Sequence, residues 1–242
     1  MKVLYLAWQD PKNRLWFPVG RLSFDGRVYR FVYTKGALKS PNFLPFGRMQ
    51  DLYTAYESSD LFPLFANRLL SKTRPEYKAF LHWLNVPNSM DDSLTLLGRS
   101  EGLRGTDSLT VFPLPEKSSD EAYDVHFFSH GLRHLPGYTV QIVEELRPGS
   151  RLFLMPDPQN RHDASAVALR TDDPITIVGY CPRYLSKDFL LLLQSGTPDI
   201  PEVVVERVNK DAPLQLRLLC SMHAPWPEGF KPCSGEEYEV LA

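Results

Sequence analysis

The chain has 242 residues, enough for one large domain or two small ones and for a core that needs no staples. Hydrophobic residues are 43% and charged residues 23%, which excludes global disorder, collagen and coiled coil. The net charge of −2 conceals a split: residues 1–118 hold 16 Lys and Arg against 11 Asp and Glu, whereas residues 119–242 hold 11 against 18. A sign change of that kind predicts two modules, or one module docked on the other.

The start, MKVLYLAWQDP, lacks the apolar region and small-residue cleavage site of a secretory signal. No apolar run approaches the ~18 residues of a membrane span. The expectation is a cytoplasmic protein without membrane contact. Residues 2–8, 15–24 and 27–34 are rich in Val, Leu, Tyr, Phe and Trp. The turn signals Asp10-Pro11 and Asp25-Gly26 divide them, and Asp-Gly predicts a hairpin. Tyr29, Phe31 and Tyr33 alternate with Val28 and Val32, so the last of these strands should be covered on both faces.

Residues 35–57 read as a long loop. A helix is then predicted over 60–70, with Ser59 as its cap and Leu61, Leu64, Phe65 and Leu69 on one face. Further helices are predicted over 75–85, opened by Pro75, and over 90–98, closed by Gly98. A strand is expected at 109–112. The stretch 113–121 is polar and proline-bearing, and it coincides with the charge split. It divides a module 1–118 from a module 119–242.

Past that divide the predicted strands are 123–129, 151–155, 165–170, 175–180, 202–208 and 214–220. Leu214, Leu216 and Leu218 alternate in the last of them. Only 182–194 reads as helical, with Leu185, Phe189, Leu192 and Leu193 in a stripe. The fold class is α+β: an antiparallel meander with helices, then a small β-barrel or sandwich with one helix.

No phosphate-binding glycine loop, nucleophile elbow or His-Glu-x-x-His motif occurs. The acidic residues are scattered, so neither an enzyme nor a cofactor is expected. His126, His130 and His134 recur every four residues, but Gly131 and the surrounding aromatics argue against a helix that would align them. Cys220, His223 and Cys233 lack an evident fourth ligand. No metal site is expected from either set. The odd, sparse cysteines Cys181, Cys220 and Cys233 fit a reducing compartment.

One loop stands out. Met155-Pro-Asp-Pro-Gln-Asn-Arg-His-Asp163 brackets His162 with Asn160 and Asp163, a set that can also stabilise a turn by itself. Gly131-Leu-Arg-His134 precedes it and Ile177-Val-Gly-Tyr-Cys-Pro-Arg-Tyr184 follows. Should these loops converge, they would bring together rings for stacking, a guanidinium for phosphate and a carboxylate for a hydroxyl.

In this order, GLRH, LRPGSRLFLMPDPQNRHDASAVAL and VGYCPRYLSKDF resemble the HIRAN domain family, over roughly residues 120–200. The resemblance implies an OB- or SH3-like barrel that binds the 3′ end of single-stranded DNA. It implies that Arg133 and Arg183 contact phosphate and that His134, His162 and Tyr180 flank bases. Asn160 would shape the loop and Asp163 would hold the 3′-hydroxyl. His134 and His162 depart from the tyrosines common in that family, and a smaller ring stacks over less area. VGRLSFDGRVYRFVYTKGAL, YESSDLFPLFANRLL and TDSLTVFPLP resemble the first N-terminal subdomain of HipA-type kinases. The chain is too short for a kinase domain to follow, so that likeness implies no kinase activity. The alternative function is a protein-interaction or toxin–antitoxin-type regulatory module that binds a partner kinase through residues 1–118. Arg14, Arg21, Arg27, Arg30, Lys35, Lys39 and Arg48 could extend a groove for nucleic acid, or form an ordinary solvated face.

An acidic module is a poor duplex binder, because duplex affinity comes from neutralising phosphates. An end pocket needs few such contacts. The expected function is therefore non-catalytic recognition of single-stranded DNA ends, in DNA repair or defence.

Overall fold

A computed structural model describes residues 2–105, 107–195 and 201–242. It is a mixed α+β protein with two antiparallel sheets. By compactness the chain divides into one unit of Met1–Leu81, Val86–Leu114 and Cys233–Ala242, and a second of His82–Asn85 and Pro115–Pro232. Among the described residues no helix is long and apolar enough to cross a membrane.

In the first unit, β1 (Lys2–Gln9), β2 (Trp16–Phe24), β3 (Tyr29–Tyr33) and β4 (Tyr56–Ser58) are followed by helices α1 (Pro63–Ala66), α2 (Tyr77–Trp83, whose last two residues are counted with the second unit) and α3 (Ser93–Ser100), then β5 (Leu109–Pro113). The strand order is β4-β3-β2-β1-β5. β1 is flanked on both sides, and its run Val3–Ala7 is buried throughout. The β2–β3 hairpin turns where Asp-Gly predicts it: Gly26 has φ +104°. Asp25 accepts from the N–H groups of Arg27 at 2.8 Å and Val28 at 2.9 Å. Phe31, Val32 and Tyr33 are all buried, as the two-faced apolar pattern of β3 requires.

The predicted helix 60–70 shrinks to α1. Pro63 has no N–H to continue a helix begun at Ser59, so it sits at the first helical position instead. α3 starts later than expected, on Asp92, which accepts from Thr95 N–H at 3.1 Å. The second module was expected to run to residue 242, but Cys233–Ala242 belongs to the first unit. Lys35 N–H donates to the Glu239 carbonyl at 2.8 Å and Leu241 N–H to the Tyr33 carbonyl at 2.9 Å. These contacts are non-local, and nothing in the local sequence announces them.

Asp10, inaccessible to solvent, ties the β1–β2 connection to the loop beyond β3. It accepts from Asn42 Nδ2 at 2.9 Å, Ser40 Oγ at 2.7 Å and Lys12 N–H at 2.8 Å. The Asn42 bond foremost, with those from Ser40 and the backbone, holds its carboxyl at about 2 against an ordinary 3.8. A depressed folded-state pKa adds stability above the unfolded value, and that stability is lost as pH falls through the folded one. Asp10→Asn should therefore flatten the fall in urea midpoint between about pH 4 and pH 2. A wild-type slope in that variant would remove Asp10 as the acid-sensitive group.

The second unit contains β6 (Ala122–Phe128), α4 (Gly137–Glu145), β7 (Arg151–Pro156), β8 (Val167–Arg170), β9 (Ile177–Tyr180), α5 (Arg183–Gln194), β10 (Glu202–Val208) and β11 (Leu218–Pro225). The strand order is β6-β11-β10-β7-β8-β9. The sheet curls until the chain just past β6 meets β9. There His130 and Tyr180 exchange N–H to carbonyl bonds, both 2.9 Å, and Ser129 Oγ donates to the Val178 carbonyl at 2.9 Å. The core inside the curl includes Tyr123, Phe127, Val167, Leu169, Val178 and Phe189. α5 lays Leu185, Phe189 and Leu192 of its predicted stripe onto that core, whereas Leu193, also expected there, is not part of it. Full burial of one such side chain is worth about 1.5–3 kcal/mol.

Two expectations fail here. α4 was not foreseen, because Gly137 and its β-branched residues mask a helix that Pro136 caps. Residues 214–216 form a 3-10 turn rather than the start of a strand, and pairing with β10 begins at Leu218. Asn209 Nδ2 donates to the Leu216 carbonyl at 2.8 Å and stabilises that turn.

Candidate nucleic-acid interface

The conspicuous loop 157–163 joins β7 to β8 and is held by its own side chains. Asn160 Oδ1 accepts from His162 N–H at 3.0 Å and Asp163 N–H at 3.3 Å. Asp163 Oδ1 accepts from Ser165 N–H at 3.0 Å. The turn-forming reading of Asn and Asp is thus fulfilled, and it leaves His162 exposed at the tip.

This loop is also bonded to the strand and helix that follow. Asp157 Oδ2 accepts from Asn160 Nδ2 at 3.1 Å and from the Tyr180 hydroxyl at 3.2 Å. Arg183, the first residue of α5, places Nε 3.1 Å from Asp163 Oδ2 and donates from Nη2 to the His162 carbonyl at 2.6 Å. Asn160, His162, Asp163, Tyr180 and Arg183 therefore share one constellation. Arg133 and His134 occupy a 3-10 turn after Gly131, both exposed, with Arg133 Nε 3.0 Å from His134 Nε2. Gly131 has φ +79°, and a Cβ there would lie 3.5 Å from the Tyr180 ring. That brings the turn carrying Arg133 and His134 to the same ring.

Asp157 was not singled out from the sequence, although it lies within the loop. Its role depends on Tyr180, which is remote in sequence and adjacent only through the β7–β8–β9 pairing. Burial, with the Asp157 carboxylate next, raises the Tyr180 phenol above its ordinary range. Arg183 uses only part of its five-donor fork on Asp163 and His162, and a carboxylate such as Asp163 has lone pairs beyond those engaged. The site therefore offers a cation, an anion and exposed rings within one small rim.

His126 lies on β6 and pairs with Glu206, His130 is at the sheet seam and His134 is in the 3-10 turn, so no helix aligns them. Cys220 is buried in the core, where burial pushes its thiol far up, and Cys233 belongs to the first unit. Among the described residues Asp120, Asp124 and His223 do approach one another, all exposed. His223 Nδ1 and Asp124 Oδ1, 2.6 Å apart, face each other across the β6–β11 pair.

Residues 122–225 match the HIRAN domain, and the residues of this constellation lie within that stretch. Two solved structures resemble the chain: a protein from Lactobacillus plantarum, 19% identical, covering 43% of this chain and 96% of that one at a TM-score of 0.35, and the HIRAN domain of human HLTF, 18% identical, covering 43% and 74% at a TM-score of 0.31. No curated protein matches.

Proposed function

We propose that residues 122–225 bind nucleic acid, and specifically the 3′ end of single-stranded DNA, without catalysing a reaction. The observation that carries this reading is the bonded set Asp157–Asn160–Asp163–Arg183–Tyr180 at the loop junction, within a stretch that matches the HIRAN domain. In it Asp163 accepts the terminal hydroxyl, Arg183 and Arg133 hold phosphate, and His134, His162 and Tyr180 provide ring faces. Stacking on such rings is worth roughly 1–3 kcal/mol per base. A role in DNA repair or defence in the cytoplasm goes with this reading. Residues 1–118 would supply a protein-docking surface, as the resemblance of their sequence to the HipA-type subdomain implies.

Fluorescence anisotropy with 5′-labelled oligonucleotides ending in a 3′-hydroxyl or a 3′-phosphate tests the proposal. Tighter binding of the hydroxyl end is expected. Equal binding of both, or of neither, would overturn the end-recognition reading.

A further inference from the structure

Strand register places a second chemistry beside this rim. Met155 pairs with Ala168 and Ala168 with Tyr180, so the three form one row across β7, β8 and β9. The core side of β7 and β8 holds Leu152, Val167 and Leu169, so Met155 and Ala168 lie on the opposite, outer face. β9 carries a register shift between its pairings with Leu169 and Arg170, which leaves Val178 in the core and puts Tyr180 beside Ala168 on the outer face. Two residues back along β7, roughly 6.6–6.8 Å, Phe153 pairs with Arg170 on that same face. The Arg170 guanidinium sits 4.7 Å from the Phe153 ring centroid and that of Arg151 sits 5.1 Å from it. Phe153 is half-buried and Arg151 exposed.

Neither arginine is sequestered by a close carboxylate. Arg151 approaches Glu202, and Arg170 approaches Asp172, only to 4.0 Å, with those carboxylates 53% and 79% exposed. Exposed pairs of that kind hold little energy and exchange readily for another anion. An aromatic ring flanked by two guanidiniums is the combination that tracks single-stranded nucleic acid, with the ring for a base and the cations for adjacent phosphates. A neutral or basic partner would leave both guanidiniums unused.

We propose that Arg151, Phe153 and Arg170 form a single-strand track, continuous through Met155 with the Tyr180 rim, that engages the DNA several nucleotides from its end. This rests on the end-binding reading and extends it: the end is read at the loop, and affinity for longer strands comes from the outer face of β7–β8.

The test uses the full chain and 5′-labelled deoxythymidine oligomers of about 4 and about 12 nucleotides, spanning known site sizes. The longer oligomer should bind more tightly to the wild type. Phe153→Leu, which keeps apolar bulk but removes the ring, should lower its affinity about tenfold and leave the shorter one within about twofold. Arg151→Ala should flatten the salt dependence for the longer oligomer by roughly 0.7 in log–log slope. If the longer oligomer binds no better, or Phe153→Leu binds it as wild type does, the track is overturned while the end pocket stands. If length and Phe153 matter but 3′ chemistry does not, the end reading falls and the track survives. If neither oligomer binds, both fall.

Discussion

Asp163→Ala is expected to invert the end preference of the protein. In the wild type, Asp163 Oδ2 is 3.1 Å from Arg183 Nε, and Oδ1 accepts from Ser165 N–H. In the proposed complex, the remaining lone pairs of this carboxylate accept the terminal hydroxyl. Hydrogen bonds to charged groups are worth about 1.5–3 kcal/mol, so affinity for a 3′-hydroxyl end should fall roughly 10- to 150-fold. The same change removes the negative charge facing the terminus and frees the Arg183 Nε donor. Affinity for a 3′-phosphate end should therefore hold or rise. Anisotropy titrations of both oligonucleotides against both proteins would read the inversion directly. A uniform loss for both ends would assign Asp163 a merely structural role. The 3′-hydroxyl assignment would then fail.

Gly179→Ala is expected to have the largest effect on stability. Gly179 lies in β9 at the seam with φ +129°, a conformation that side-chain-bearing residues rarely adopt. A Cβ there would lie 1.8 Å from Ser129 Oγ and 2.8 Å from the His130 carbonyl. Ser129 could move only by giving up its bond to Val178, and His130 only by breaking its exchange with Tyr180. Strain and overpacking together cost on the order of 4 kcal/mol, a large part of the 5–15 kcal/mol typical of a domain. The midpoint of the second unit should drop by more than about 10 °C. Gly149→Ala is the comparison: φ is +85° but nothing lies within 4 Å, so about 1 kcal/mol is expected there. Calorimetry of both variants separates the two costs. Equal melting shifts would remove the seam as the reason for Gly179.

Features with a local cause were legible before the structure. The Asp25–Gly26 turn needs only a side-chain acceptor and a residue that tolerates positive φ. The α5 stripe needs only the helical period. Within the loop, Asn160 and Asp163 organise their own backbone, so its oddity was visible in the sequence alone. Pro63 misled because its missing N–H starts a helix as readily as it breaks one. Leu214–Leu218 misled because alternation says nothing about whether a partner strand is present, and there the partner begins only at Leu218.

By itself the sequence determined the class of fold, the turns, the helix that carries Arg183 and the residue types available to a binding rim. Those follow from interactions between near neighbours. Only the tertiary structure decided that Tyr180 reaches Asp157, that Arg183 reaches Asp163, that Gly179 closes a seam against Ser129 and that Phe153 lies between two arginines. Each of those contacts depends on strand register or sheet curl, where a shift of one residue would turn every side chain to the other face.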